Sequence, residues 1–279
     1  MGPEIESQKE KISDKAVLTF LVMVISLTAV VEWIYCNVHD DIWVALLMWI
    51  PAISAFAATF VSIRTNNERF SFAKQRDLLN IKKCKFKYII AGVLIPIVYL
   101  IIPYTIYWIT HEKSLDLGNM SITYLLIYSL IALPVSLLTA TGEEIGWRGF
   151  MFPALSERIG VTKSVTAVSF FWCFWHIPII IWGGYMEGTP IWYRISAFVV
   201  CIFPVGIITA LLTMKSSSMW PAAFLHASHN AFDQAIFGGI TVGDDKMYYV
   251  SETGLITIIC VWVVAVLMCI HHFRRLNED

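Results

Sequence analysis

Charge is what this sequence has least of. Asp, Glu, Lys and Arg make up 15 % of its 279 residues, and apolar residues make up 57 %; a soluble globular chain is about 25 % charged. The mean hydropathy is +0.67. No soluble fold of this length hides that much apolar surface, so the composition describes an integral membrane protein. Disorder, a collagen-like fibre and a secreted disulfide scaffold are excluded. A net charge of −1 argues against a nucleic-acid partner. The six cysteines, Cys36, Cys84, Cys173, Cys201, Cys260 and Cys269, stand singly and mostly in apolar segments. No pair has C-x-x-C spacing, so neither a metal site nor a disulfide framework is implied, and they read as small packing residues. A G-x-S-x-G elbow is missing, which disfavours serine hydrolysis. The H-E-x-x-H helix is missing too, so spacing gives no support to zinc. Alternation of period two is absent, which argues against a β-barrel.

Targeting signals are equally scarce. Residues 1–15 carry Glu4, Glu6, Glu10 and Asp14 with three lysines, and no small-residue cleavage site follows the first apolar stretch, so no signal peptide is expected. Glu6 stands where a myristoylation signal has Ser or Thr. The terminal Asn277-Glu278-Asp279 carries no prenylation motif.

What the sequence does have is long apolar runs. A helix needs about 20 apolar residues to cross the hydrocarbon core. Such stretches lie near 16–36, 42–63, 88–109, 121–142, 164–183, 193–213, 219–238 and 253–272. The expected fold is all-α: one multi-span membrane domain over 1–279, a helix bundle with about eight transmembrane helices. The longest polar stretch, Arg64–Lys87, holds eight basic residues against two acids, with Phe70, Phe72, Leu78, Leu79 and Ile81 among them. It reads as an amphipathic cytoplasmic loop at the membrane surface or as a plain solvated one. With the N-terminus in the cytoplasm, 17 of the 20 Lys and Arg fall on the inside and only Lys113, Arg194 and Lys246 outside. Both termini are then cytoplasmic.

Ionisable residues in or beside apolar spans are costly and point to function. In Thr141-Gly142-Glu143-Glu144-Ile145-Gly146-Trp147-Arg148 two adjacent carboxylates follow an apolar helix. Glu144 and Arg148, four apart, share a helical face and can pair; Glu143 points about 100° away and is left free. His176 sits in Trp172-Cys173-Phe174-Trp175-His176-Ile177-Pro178 with no charged neighbour. His226-Ala227-Ser228-His229-Asn230 puts His226 and Asn230 on one face and His229 next to it. Glu32 and Asp233 are further acids in spans; Glu32 suits a span end facing water, and Asp233 could orient a histidine. On this topology Glu143 lies near the cytoplasmic end of its span. His176 and His226 lie roughly 18 and 10 Å into theirs at 1.5 Å per residue. All could meet in a cavity opening towards the cytoplasm.

A carboxylate and a histidine together can activate water as a general base. A histidine and an asparagine can donate to a developing oxyanion. This is a set for hydrolysing an amide with no covalent intermediate. A His₂-Glu zinc site from Glu143, His176 and His226 is the chemical rival.

The ordered set resembles the CAAX protease and bacteriocin-processing family of membrane endopeptidases. Its E-E-x-x-x-R motif is matched by Glu143, Glu144 and Arg148, its F-x-x-x-H motif at His176 with Trp172 in the leading place, and its H-x-x-x-N motif by His226 and Asn230. The likeness covers about residues 120–235. It implies an eight-helix membrane fold and, for the type II prenyl endopeptidases, removal of the last three residues of a prenylated Cys-a-a-X end. It further implies that Glu143 and His176 activate the water, that His226 and Asn230 hold the oxyanion, and that Glu144 and Arg148 support the site. No cofactor and no metal are expected, and the partners are a prenylated C-terminal peptide or protein and membrane lipid. The Trp172 departure is expected to alter packing rather than chemistry. The rings of Phe170, Phe171, Trp172, Phe174 and Trp175 could wall a path for the prenyl chain, or face lipid and core. Alternatives are a zinc-dependent protease of the same family, or an immunity or transport protein without this activity. The membrane is the cell membrane in a prokaryote and the endoplasmic reticulum in a eukaryote.

Overall fold

A computed structural model describes residues 12–118 and 121–276. The rest of the N-terminal tail, the terminal Asn277-Glu278-Asp279 and the side chain of Arg275 lie outside the described residues. Within these bounds the chain is helical, with one isolated bridge, between Leu115 and Thr241.

The first helices are α1 (Asp14–Val38), α2 (Asp41–Thr65), the short α3 (Phe72–Leu78) and α4 (Phe86–Thr110). Then come α5 (Ile122–Glu144), a π-helical segment Ile145–Met151, and α6 (Phe152–Ile159). α7 (Val161–Trp175) and α8 (Ile177–Trp182) are separated at His176. α9 (Ile191–Ser216) follows, then α10 (Trp220–Asn230), a second π segment Ala231–Phe237 and a 3-10 turn Gly238–Ile240. α11 (Lys246–Tyr249) and α12 (Leu255–Leu276) end the fold. Starts follow capping chemistry: the side chains of Ser13, Asp40, Ser71 and Ser121 accept first-turn amides. Pro51, Pro96, Pro103, Pro134 and Pro204 sit inside helices, as membrane bundles tolerate.

Among the described residues seven helices are long and apolar enough to cross a membrane. The seventh of the eight expected spans, near 219–238, is helical but does not qualify. α10 and its π extension carry two histidines, an asparagine and an aspartate. They need no apolar exterior, because protein surrounds them: α10 packs on α4, α5 and α9, and nearly all of its residues are buried. The expected span 121–142 is also longer than read. It continues through the π segment and α6 as one 37-residue run from Thr123 to Ile159. Glu143 therefore sits inside this helical run rather than at its end. Exposed Leu, Ile, Val and Phe on α1, α4, α5 and α12 give the bundle the apolar coat of an integral membrane protein.

Close packing at the site uses small residues. A Cβ at Gly142 would collide with the Met48 carbonyl, and one at Gly146 with the Pro51 ring. α2 and the Glu143–Arg148 segment thus approach backbone to backbone.

Candidate active site

The motif residues converge from three stretches of chain. Glu143 and Glu144 come from the end of α5, His176 from the α7–α8 break, and His226 and Asn230 from α10. The break has a local cause. Pro178 has no amide hydrogen and cannot continue the α7 ladder, so the chain restarts at Ile177 and exposes His176 at the corner. A cavity of about 100 Å³ is lined by Glu143, His176, His226 and Asn230, together with Trp172, Trp175, Tyr185, His229, Gln234 and Glu252. That volume holds several waters. Val44, Tyr185 and Glu252 in its lining come from the ends that the Lys–Arg bias places outside.

The Glu144–Arg148 pair forms as spacing predicts, at 2.9 Å and with both residues fully buried. Glu144 Oε1 also accepts from His226 Nδ1 at 3.0 Å. Arg148 lies over the Trp172 ring, 4.3 Å from its centroid. Glu143 is not free. Its Oε2 accepts the Trp172 indole N–H at 2.7 Å and faces the Trp147 indole N–H at 3.4 Å. The Trp172 departure therefore changes chemistry as well as packing, because phenylalanine has no donor to give this carboxylate.

Two tautomers follow from these bonds. His176 Nδ1 lies 2.8 Å from the Trp172 carbonyl, which can only accept. Nδ1 carries a proton, so in the neutral ring Nε2 is the nitrogen that accepts. His226 donates Nδ1–H to a carboxylate in the same way. The amide of Asn230 makes no hydrogen bond among the described residues and lines the cavity.

A second polar cluster adjoins the first, and only part of it was legible. His229 Nδ1 meets the Tyr99 hydroxyl at 2.8 Å, and its Nε2 meets Glu252 Oε1 at 3.0 Å. Tyr185 donates to Glu252 Oε2 at 2.6 Å, and Gln234 donates to Tyr185 at 3.1 Å. Asp233 accepts from Tyr104 and Ser251. Burial opposes ionisation of Glu252, but the His229 hydrogen bond and charge, with the Tyr185 hydroxyl, hold its carboxyl below the ordinary value. Sequence reasoning missed Glu252 and Tyr185. Glu252 stands three residues before an apolar span, which is a signal of the kind that picked out Glu143.

Ligand atoms of His229, Asp233 and Glu252 lie within 4.8 Å of one another; those of Glu143, His176 and His226 form no such group among the described residues. Every member of the first trio is already hydrogen-bonded. Of the aromatic wall only Trp172 and Trp175 reach the cavity; Phe171 packs on Trp147, and Phe170 and Phe174 are exposed. Glu32 is buried rather than water-facing, with one carboxyl oxygen unpartnered.

Comparison with known proteins bears on this arrangement. Residues 124–232 match the family described as Type II CAAX prenyl endopeptidase Rce1-like. The chain is similar to that family. The matched segment holds all six motif residues. The chain is also 27 % identical over 184 residues to the protein named CAAX prenyl protease 2 of Methanococcus maripaludis. That match covers 61 % of this chain and 65 % of the relative, a little under two thirds of the relative's length.

Proposed function

We propose that this chain is an intramembrane endopeptidase, a hydrolase that cleaves the peptide bond after the prenylated cysteine of C-terminal CAAX sequences. The observation that carries the reading is one cavity lined by a carboxylate, a histidine that donates through Nδ1 to a backbone carbonyl, and two potential oxyanion donors. Their order in the chain matches a CAAX endopeptidase family over residues 124–232. The substrates are prenylated peptides or proteins presented from the lipid.

In this mechanism a water lies between Glu143 and His176 Nε2. As its oxygen attacks the scissile carbonyl, its proton passes to Glu143. Trp172 and Trp147 hold that carboxylate in place by their indole N–H groups. The carbonyl oxygen becomes an oxyanion and accepts from His226 Nε2–H and the Asn230 amide. For this His226 must carry both protons, and Glu144 is its counter-ion. The tetrahedral intermediate collapses as the C–N bond breaks and the proton moves to the departing amine. The products are a prenylcysteine carboxylate and a free tripeptide. Arg148 balances the second charge on the site's acid pair. Both termini face the cytoplasm in this reading.

The test is release of the tripeptide from a farnesylated C-terminal peptide by the purified protein in lipid nanodiscs. Wild type cleaves it, and an unprenylated peptide is a poor substrate. Glu143→Gln removes turnover by a factor of about 10³ or more while the melting temperature changes little. Near-normal turnover by Glu143→Gln sinks the assignment of Glu143. Absence of cleavage by wild type sinks the function.

A further inference from the structure

The mechanism above makes no use of the second buried cluster, although His229 lies between its two donors in the chain. At 100° per residue His229 is about 60° round the helix from His226 and about 100° from Asn230. It is 2 % exposed and bonded on both ring nitrogens, to Tyr99 of α4 and to Glu252 of the loop before α12. The Glu252 carboxylate is 3 % exposed, and its second oxygen takes the Tyr185 hydroxyl from the loop before α9. Four separate parts of the chain therefore meet on one imidazole–carboxylate pair.

Two features make this more than packing. First, α10 changes to π geometry at Ala231, directly after Asn230. A π turn shifts the register of the residues that follow it, and such segments favour functional sites. Asn230 is the last α-helical residue before that shift, so the rotation of α10 about its axis decides where its side chain points. Second, a buried polar pair contributes little net stability over an apolar pair of equal volume, and here its bonds tie α10 to α4 and to two loops.

We propose that the His229–Glu252 pair, anchored by Tyr99 and Tyr185, is the positioning device that fixes the rotation of α10 and aims His226 and Asn230 at the scissile carbonyl. His229 and Glu252 are positioning residues; they act through Asn230 and His226. The inference rests on the peptidase reading above, and its test separates the two.

Glu252→Gln, His229→Gln and the double variant are prepared alongside wild type in nanodiscs. Turnover on the farnesylated peptide, Michaelis constant, melting temperature and backbone hydrogen exchange over residues 226–237 are measured on each. A misplacement of about 1 Å costs up to about 10²-fold in rate. Each single variant is expected to lose 10- to 100-fold in kcat with KM within about twofold, and to show faster exchange over 226–237. The double variant is expected to be no worse than the poorer single, as for two halves of one device. Unchanged kcat, or losses that multiply in the double variant, overturns the proposal. So does a fall in melting temperature with no change in kcat. If wild type itself is inactive, the peptidase reading fails and exchange alone decides: equal exchange in wild type and variants overturns the positioning role. Added Zn²⁺ serves as a further arm. A rise in wild-type melting temperature that both single variants lose would make the cluster with Asp233 a cation site and overturn the proposal.

Discussion

At the scale of single residues, the local part of the site was legible and the long-range part was not. The Glu144–Arg148 pair depends only on a four-residue spacing, and it forms. The same spacing left Glu143 free, and that was incomplete, because the nearer of its two indole donors is 29 residues away on α7. Helical periodicity says which way a side chain points but not what another helix brings to meet it. Trp172→Phe restores the residue type of the family motif yet removes the nearer donor to a buried carboxylate. A hydrogen bond to a charged group contributes about 1.5–3 kcal/mol. The variant is expected to lose stability of that order and to turn over at least about tenfold more slowly; thermal unfolding and peptide release measure the two losses. Asn230 tests the other half of the site. A donor that acts in the transition state lowers turnover more than binding. Asn230→Ala is expected to fall roughly 10²-fold in kcat with a modest change in KM. Asn230→Asp should do no better, since an ionised carboxylate donates nothing. Equal loss of melting temperature and substrate binding in Asn230→Ala would mark a brace instead.

At the scale of elements, most helices follow from apolar length and capping residues. The two π segments do not. One begins within the first motif, at Ile145 after Glu143-Glu144, and the other directly after the last motif, at Ala231 after Asn230. No composition rule distinguishes a π turn from an α turn, because both use the same residues and differ only in which carbonyl accepts. The break at His176 was available to inspection, since Pro178 follows two residues later. The glycines flanking the first motif have a testable role. Gly146 lies against Pro51 of α2 with no room for a side chain. Gly146→Leu forces α2 away from the Glu143 segment and is expected to cost about 1–3 kcal/mol, with turnover falling alongside. Unfolding by heat in detergent checks the first, and retention of wild-type stability would contradict the packing.

At the scale of the whole molecule, the composition identified a membrane bundle and the residues in its spans marked the cavity. The surroundings of α10 needed the structure. Hydropathy scores a helix by its own residues, while α10 is judged by its neighbours. The orientation makes a direct prediction. A cysteine in place of Lys83 should resist a membrane-impermeant maleimide in intact cells, and one in place of Lys246 should react, both read in a background with the native cysteines replaced. The reverse pattern would invert the topology.

The sheathed helix has a consequence for how the chain is made. A segment enters the bilayer from the translocon by partitioning, and an aspartate at mid-helix alone opposes this by about 2.5–3.5 kcal/mol. α10 and its π extension carry Asp233 as well as His226, His229 and Asn230. α4 and α5, two of the helices that cover them, have already been synthesised when α10 emerges, and α9 emerges just before it. Insertion of the segment that bears half the chemistry therefore waits on a cradle built by earlier helices. By its own residues α10 partitions poorly into lipid, and the helices packed round it supply its solvent instead.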